Sequence, residues 1–147
     1  MSWSRLWEAT KAPSAYISNR AASDRQEVIA IMLPNSIDFV EAYLAVVRSG
    51  HIALPMDPTY KSLELDNIVD QLPPKLIITN DKYLNRFSQK HQEMAVLIKD
   101  IRNYEGSPAA AVKLPPDEQI VSLTFTSGTT GKPKAVPNTH SNHIWNI

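Results

Sequence analysis

The feature that most constrains this chain is a repeated alternation of short, strand-forming apolar runs with stretches whose apolar residues recur at helical spacing. Val28–Leu33, Ile52–Leu54, Leu76–Thr79 and Ala95–Ile98 are too short for good buried helices, and each is bounded by proline, glycine or polar residues. Continuous apolar runs of this length suit strands covered on both faces, and helical patterns between them predict crossover connections. The expected fold is therefore α/β, a largely parallel sheet with crossover helices.

Between the first two runs, Ile37, Val40, Leu44 and Val47 fall at i, i+3, i+7 and i+10, with Asn35 as the expected cap and Arg48 and Gly50 as a C-terminal stop. Leu65, Ile68, Val69 and Leu72 lay out a second helical stripe that ends at Pro73 and Pro74, and Glu64, Asp66 and Asp70 are expected on its wet face. Residues 82–92 read as one surface helix, and Trp3, Leu6 and Trp7 as the apolar edge of an opening helix. Residues 103–117, with Gly106, Pro108, Pro115 and Pro116, read as a loop between layers. Ile120–Thr126 alternates apolar and polar residues, the mark of a strand with one apolar face. The chain then closes on the opening turns of a helix, residues 142–147, capped by Ser141 or Thr139.

Lys plus Arg equals Asp plus Glu at 15 each, so no net field draws the chain to nucleic acid or an anionic membrane, and any anion site must be local. With no cysteine there is no disulfide, no thiolate chemistry and no cysteine-ligated zinc. The apolar runs fall far short of the roughly 18 residues that a membrane helix needs. No membrane span is expected, and the cytoplasm is the default compartment. The basic, serine-containing first 23 residues would also suit a transit peptide, but the Trp3, Leu6 and Trp7 edge argues for a helix of the fold.

The local anion site is the segment Thr126-Ser127-Gly128-Thr129-Thr130-Gly131-Lys132-Pro133-Lys134. Gly128 and Gly131 let successive N–H groups turn toward one concavity, and they leave room for a phosphate to approach. Thr126, Ser127, Thr129 and Thr130 add hydroxyl donors, while Lys132 and Lys134 add charge. In an open parallel sheet, ligands bind outside the carboxyl ends of the strands, where this segment leaves the 120–126 strand. The G-x-x-x-x-G-K-[ST] loop does not fit: only Thr129 and Thr130 separate the glycines, and Pro133 follows Lys132. By composition alone, a plain polar connection would also account for the segment.

The order of those nine residues closely resembles the phosphate loop of the adenylate-forming (AMP-binding) enzymes, which include acyl-CoA synthetases, luciferases and peptide-synthetase adenylation domains. Val28–Asn35, Phe39-x-x-Ala42-Tyr43-Leu44-Ala45, Ser49-Gly50 and Pro55-x-Asp57-Pro58 resemble the family's first large subdomain, and Ser2–Trp7 its opening helix. The resemblance implies that residues 1–147 are a partial N-terminal AMP-binding domain ending just after the loop. It implies ATP with Mg2+ as the nucleotide held by Thr126, Ser127, Gly128, Thr129, Thr130, Gly131, Lys132 and Lys134, and coenzyme A as a possible acceptor in the full enzyme. A small-molecule nucleotide and a carboxylic acid would be its partners, and the family's acid pocket and catalytic lysine would lie in later sequence. Thr130, where amino-acid-activating members often carry serine, leans toward an acyl-CoA synthetase. The alternative is a non-catalytic piece, or one that works with a separately encoded remainder.

Alanine stands at position 135 and histidine at 51, where the family often has glycine. The resemblance also implies a contact between His140 and the loop. His51, His91, His140 and His143 have no acidic partner at metal-ligand spacing, and no G-x-S-x-G surrounds Ser127.

Overall fold

A computed structural model describes residues 2–108, 119–126 and 134–145. Eight helices and six strands follow in chain order among them: α1 Trp3–Ala9, α2 Lys11–Arg20, β1 Val28–Ile31, α3 Ile37–Arg48, β2 Ile52–Pro55, α4 Ser62–Gln71, β3 Leu76–Thr79, α5 Asp81–Leu84, α6 Gln89–Gln92, β4 Ala95–Leu97, α7 Ile98–Ile101, β5 Ile120–Thr126, β6 Lys134–Thr139 and α8 His140–Trp145. They build one sheet in the order β4-β3-β1-β2-β5-β6, parallel throughout except for the antiparallel β5–β6 pair. None of the described helices is long and apolar enough to cross a membrane.

Alternation along β1 explains why its run is apolar at every position. Ile29, Ile31 and Leu33 enter one core with Ile17, Ala42, Ala45, Val46, Ile98 and Ile101, whereas Ala30 and Met32 enter a second core with Leu65, Ile68, Val69, Tyr83 and Phe87. Two buried faces leave no polar position on a central strand.

Helix α3 departs from its expected face. Glu41, Ala42, Ala45 and Val46 are the buried residues, while Ile37 is 52% and Val40 40% exposed. The small side chains of Ala42 and Ala45 let the helix lie close to the sheet, and closeness decides which stripe turns inward. The cap differs as well: the Ser36 hydroxyl, not Asn35, accepts from the Phe39 N–H at 3.3 Å. Arg48 and Gly50 end the helix as expected, with Gly50 at φ 82°, the left-handed region open to glycine.

Residues 82–92 do not form one helix. The chain makes two short ones, α5 and α6, because the buried Phe87 turns inward at the corner between them. Helix α7 and strand β6 had no expectation in the sequence. The opening helix α1 exists, but Trp3 is 75% and Trp7 48% exposed, and α1 buries no residue. Arg48 stacks over the Trp7 ring at 4.3 Å and donates to the Trp7 carbonyl, so this edge is tied to α3 without being covered.

Candidate functional site at the carboxyl edge of the sheet

All five parallel strands end on one edge, so the turns after β1 and β2 and the end of β5 converge there. They frame an open cleft of about 460 Å³, lined by Leu33 to Asn35 and Phe39 on one side, Pro55 to Tyr60 on another, and Thr124 and Phe125 from β5. The wall after β2 is a tight turn. The Thr59 N–H donates to Asp57 Oδ1 at 2.7 Å, and the Tyr60 N–H to the Asp57 carbonyl at 3.1 Å. The Thr59 donation holds the Asp57 carboxyl below the usual carboxylate range.

Strand β5 leads into the nine-residue segment at this same edge. Its last residue, Thr126, is the register partner of Lys134, the first residue of β6, so the antiparallel ladder fixes both ends of the segment opposite each other. Ser127, Gly128, Thr129, Thr130, Gly131 and Lys132 lie outside the described residues. Farther along the ladder Asn138 donates to the Thr124 hydroxyl at 3.3 Å. Pro137, which lacks an N–H, is accommodated on the edge strand of the sheet.

The structure also places the other positions singled out in the sequence. The backbone N–H of His140 donates to the Gln119 carbonyl, at the far end of the ladder from residues 126–134. His51 sits before β2 at the opposite edge of the sheet, where its Nδ1 accepts from the Glu27 N–H, so its side chain stays clear of the cleft. Ala135 is an exposed position of β6. His91 does have acidic neighbours, supplied by another helix. Its Nδ1 lies 2.6 Å from Asp66 and its Nε2 3.1 Å from Asp70, so the α4 acids form a buried-histidine network as well as a wet face. Burial would raise the Asp66 carboxyl, but the hydrogen bonds from His91 and Ser88 outweigh it and hold the group low. Among the described residues, no group of three or more such side chains could hold a metal ion.

Two supporting residues carried no local signal in the sequence. Gln26 donates to the carbonyls of Gly50 and Ile120 and accepts from the Ile120 N–H, bracing the start of β5 ahead of the Ser122–Ala53 register pair with β2. Arg86, from the α5–α6 corner, donates to the carbonyls of Pro58 and Tyr60 in the cleft wall.

The family model described as AMP-binding enzyme matches residues 1–147. The chain belongs to the AMP-binding enzyme family. Within that family it is 33% identical over 114 residues to zwittermicin A synthase ZmaJ of Bacillus cereus, covering 78% of this chain and 22% of that protein. It is 27% identical over 134 residues to 4-coumarate–CoA ligase of Pinus taeda, covering 82% of this chain and 25% of the ligase. ATP-bound MatB from Rhodopseudomonas palustris shares the fold, with a TM-score of 0.82, 22% identity, and coverage of 99% of this chain and 31% of MatB. The chain thus spans about a quarter of the length of those two curated relatives.

Proposed function

We propose that this chain is the nucleotide-binding N-terminal part of an AMP-forming acid ligase, holding the β- and γ-phosphates of magnesium ATP in residues 126–134. In the complete reaction a carboxylate oxygen attacks the α-phosphorus, the bond to the β-phosphate bridging oxygen breaks, and acyl-adenylate and pyrophosphate result. A thiol such as coenzyme A then takes the acyl group and releases AMP.

The observation that carries this reading is the end of β5 at the carboxyl edge, with Thr126 and Lys134 opposite each other beside the cleft. Gly128 and Gly131 turn backbone N–H groups toward the phosphates. Thr126, Ser127, Thr129 and Thr130 supply hydroxyl donors, and Lys132 and Lys134 offset the charge that builds on the leaving pyrophosphate. This is positioning and electrostatic stabilisation, not proton transfer. Magnesium arrives as part of the substrate; Asp57, the one carboxylate lining the cleft among the described residues, already accepts from Thr59 and is no metal set by itself.

Amide hydrogen exchange tests the reading. Magnesium ATP should slow exchange across residues 126–134 of the wild-type chain, and Lys134→Ala and Gly131→Val should each weaken that effect. Equal protection in both variants rules the loop out. Pyrophosphate release is not expected from the 147 residues alone with ATP, coenzyme A and a panel of acids; turnover there would show a self-sufficient catalyst.

A further inference from the structure

Arg86 stands on a different element from residues 126–134, yet its partners belong to the cleft. Its Nη1 donates to the Pro58 carbonyl and its Nη2 to the Tyr60 carbonyl. A guanidinium is a rigid planar fork that can hold two acceptors at once, whereas an ammonium is a point donor. The two carbonyls lie within the Asp57–Tyr60 turn and flank Thr59, so the fork grips the turn on either side of that residue.

The post from which Arg86 reaches is itself fixed. The Arg86 N–H donates to the Tyr83 carbonyl at 3.0 Å, and the neighbouring Phe87 is buried in the second core. Gln92 Nε2 donates to the Phe87 carbonyl at 2.8 Å, and the Ser88 N–H to Asp66 Oδ1 at 3.2 Å. Buried His91 lies between Asp66 and Asp70 of α4. The corner is therefore held to the body of the fold, and Arg86 carries that rigidity to a turn whose own bonds are internal.

We propose that Arg86 is a positioning residue for the ligand of this cleft: it sets the wall formed by Pro58, Thr59 and Tyr60, and through that wall the affinity for the nucleotide. This rests on the ATP reading above.

The test uses the full 147-residue chain with Arg86→Met and Arg86→Lys, reading amide exchange at Thr59 and Tyr60 and the ATP concentration that half-protects residues 126–134. Arg86→Met removes both charge-assisted hydrogen bonds and should speed exchange at both amides by at least about tenfold, the effect that losing one of them alone would have on a local opening. It should also raise the ATP midpoint several-fold, and Arg86→Lys should lie between it and wild type. Unchanged exchange at Thr59 and Tyr60 overturns the clamp. Faster exchange with an unchanged ATP midpoint in both variants overturns the positioning role and leaves Arg86 a purely structural group. No ATP-dependent protection in the wild-type chain overturns the nucleotide reading and the affinity half of this proposal with it, while the two exchange rates still decide the clamp. If Arg86→Met does not fold, Arg86→Lys alone carries the comparison.

Discussion

Arg102 grips the carboxylate of Glu41, with Nε at 3.1 Å from Oε1 and Nη2 at 2.8 Å from Oε2, and so joins α7 to α3. Glu41 is 3% exposed, which makes this the charge on α3 that most needs a partner. Asp38 shares the same guanidinium, and together the acids push Arg102 further up from its already high range.

Removing Arg102 should strand a buried carboxylate. Arg102→Met is expected to cost about 3 kcal/mol, the low end for a broken buried pair because water reaches the arginine side. Adding Glu41→Gln should recover much of that loss in urea unfolding. A double variant as unstable as the single one would mean that the stranded charge is not the cause.

His51 makes acid destabilising in a definite window. Burial, opposed in part by the nearby Glu27 charge, lowers its folded pKa below the 6.5 of a free histidine. At pH values between the two, the unfolded chain binds the proton and the folded chain does not, so stability falls as pH drops below about 6.5. His51→Gln should flatten that part of the urea-midpoint profile relative to wild type. An unaltered slope would clear His51 of the effect.

The two caps can be told apart cheaply. Ser36→Ala should cost about 1 kcal/mol through loss of the Phe39 N–H partner, whereas Asn35→Ala should change thermal stability little. The reverse ranking would return the cap to Asn35.

Gln26→Ala should loosen the front of β5. With the Ile120 amide deprived of its acceptor, its exchange should quicken and stability should drop by about 1 to 2 kcal/mol. Exchange at Ile120 as slow as in wild type would show that the pairing with β2 and β6 secures the strand without Gln26.

These cases also show which parts of the molecule can be read from sequence. β1, β2, β3 and β5 were legible because burial on one or both faces writes itself into consecutive residues, and α4 because Leu65, Ile68 and Val69 all pack inward. Helix α3 was legible as a helix but not in its face: Ala42 and Ala45 count for little on a hydrophobic scale, and close approach makes them the core. The split at residues 85–88 was hidden because Phe87, which forces it, fits a helical pattern equally well. Strand β6 was hidden by its exposed positions and Pro137, which give an edge strand no alternating signature. At the cleft, Pro55-x-Asp57-Pro58 stood out through its resemblance to the family's first large subdomain, but Gln26 and Arg86 act through carbonyls 24 or more residues away and leave no local trace.

The Thr126–Lys134 pairing has one more consequence. A ladder that pins both ends of a segment separates the length of that segment from the stability of the fold, since closing a flexible loop twice as long costs only about 0.6 kcal/mol more. Inserting a residue between Thr126 and Lys134 would hardly register in a melting curve. On the proposed nucleotide reading, the insertion would displace the phosphate donors between those two anchors, so this hairpin is a place where function could be lost in a chain that folds as well as before.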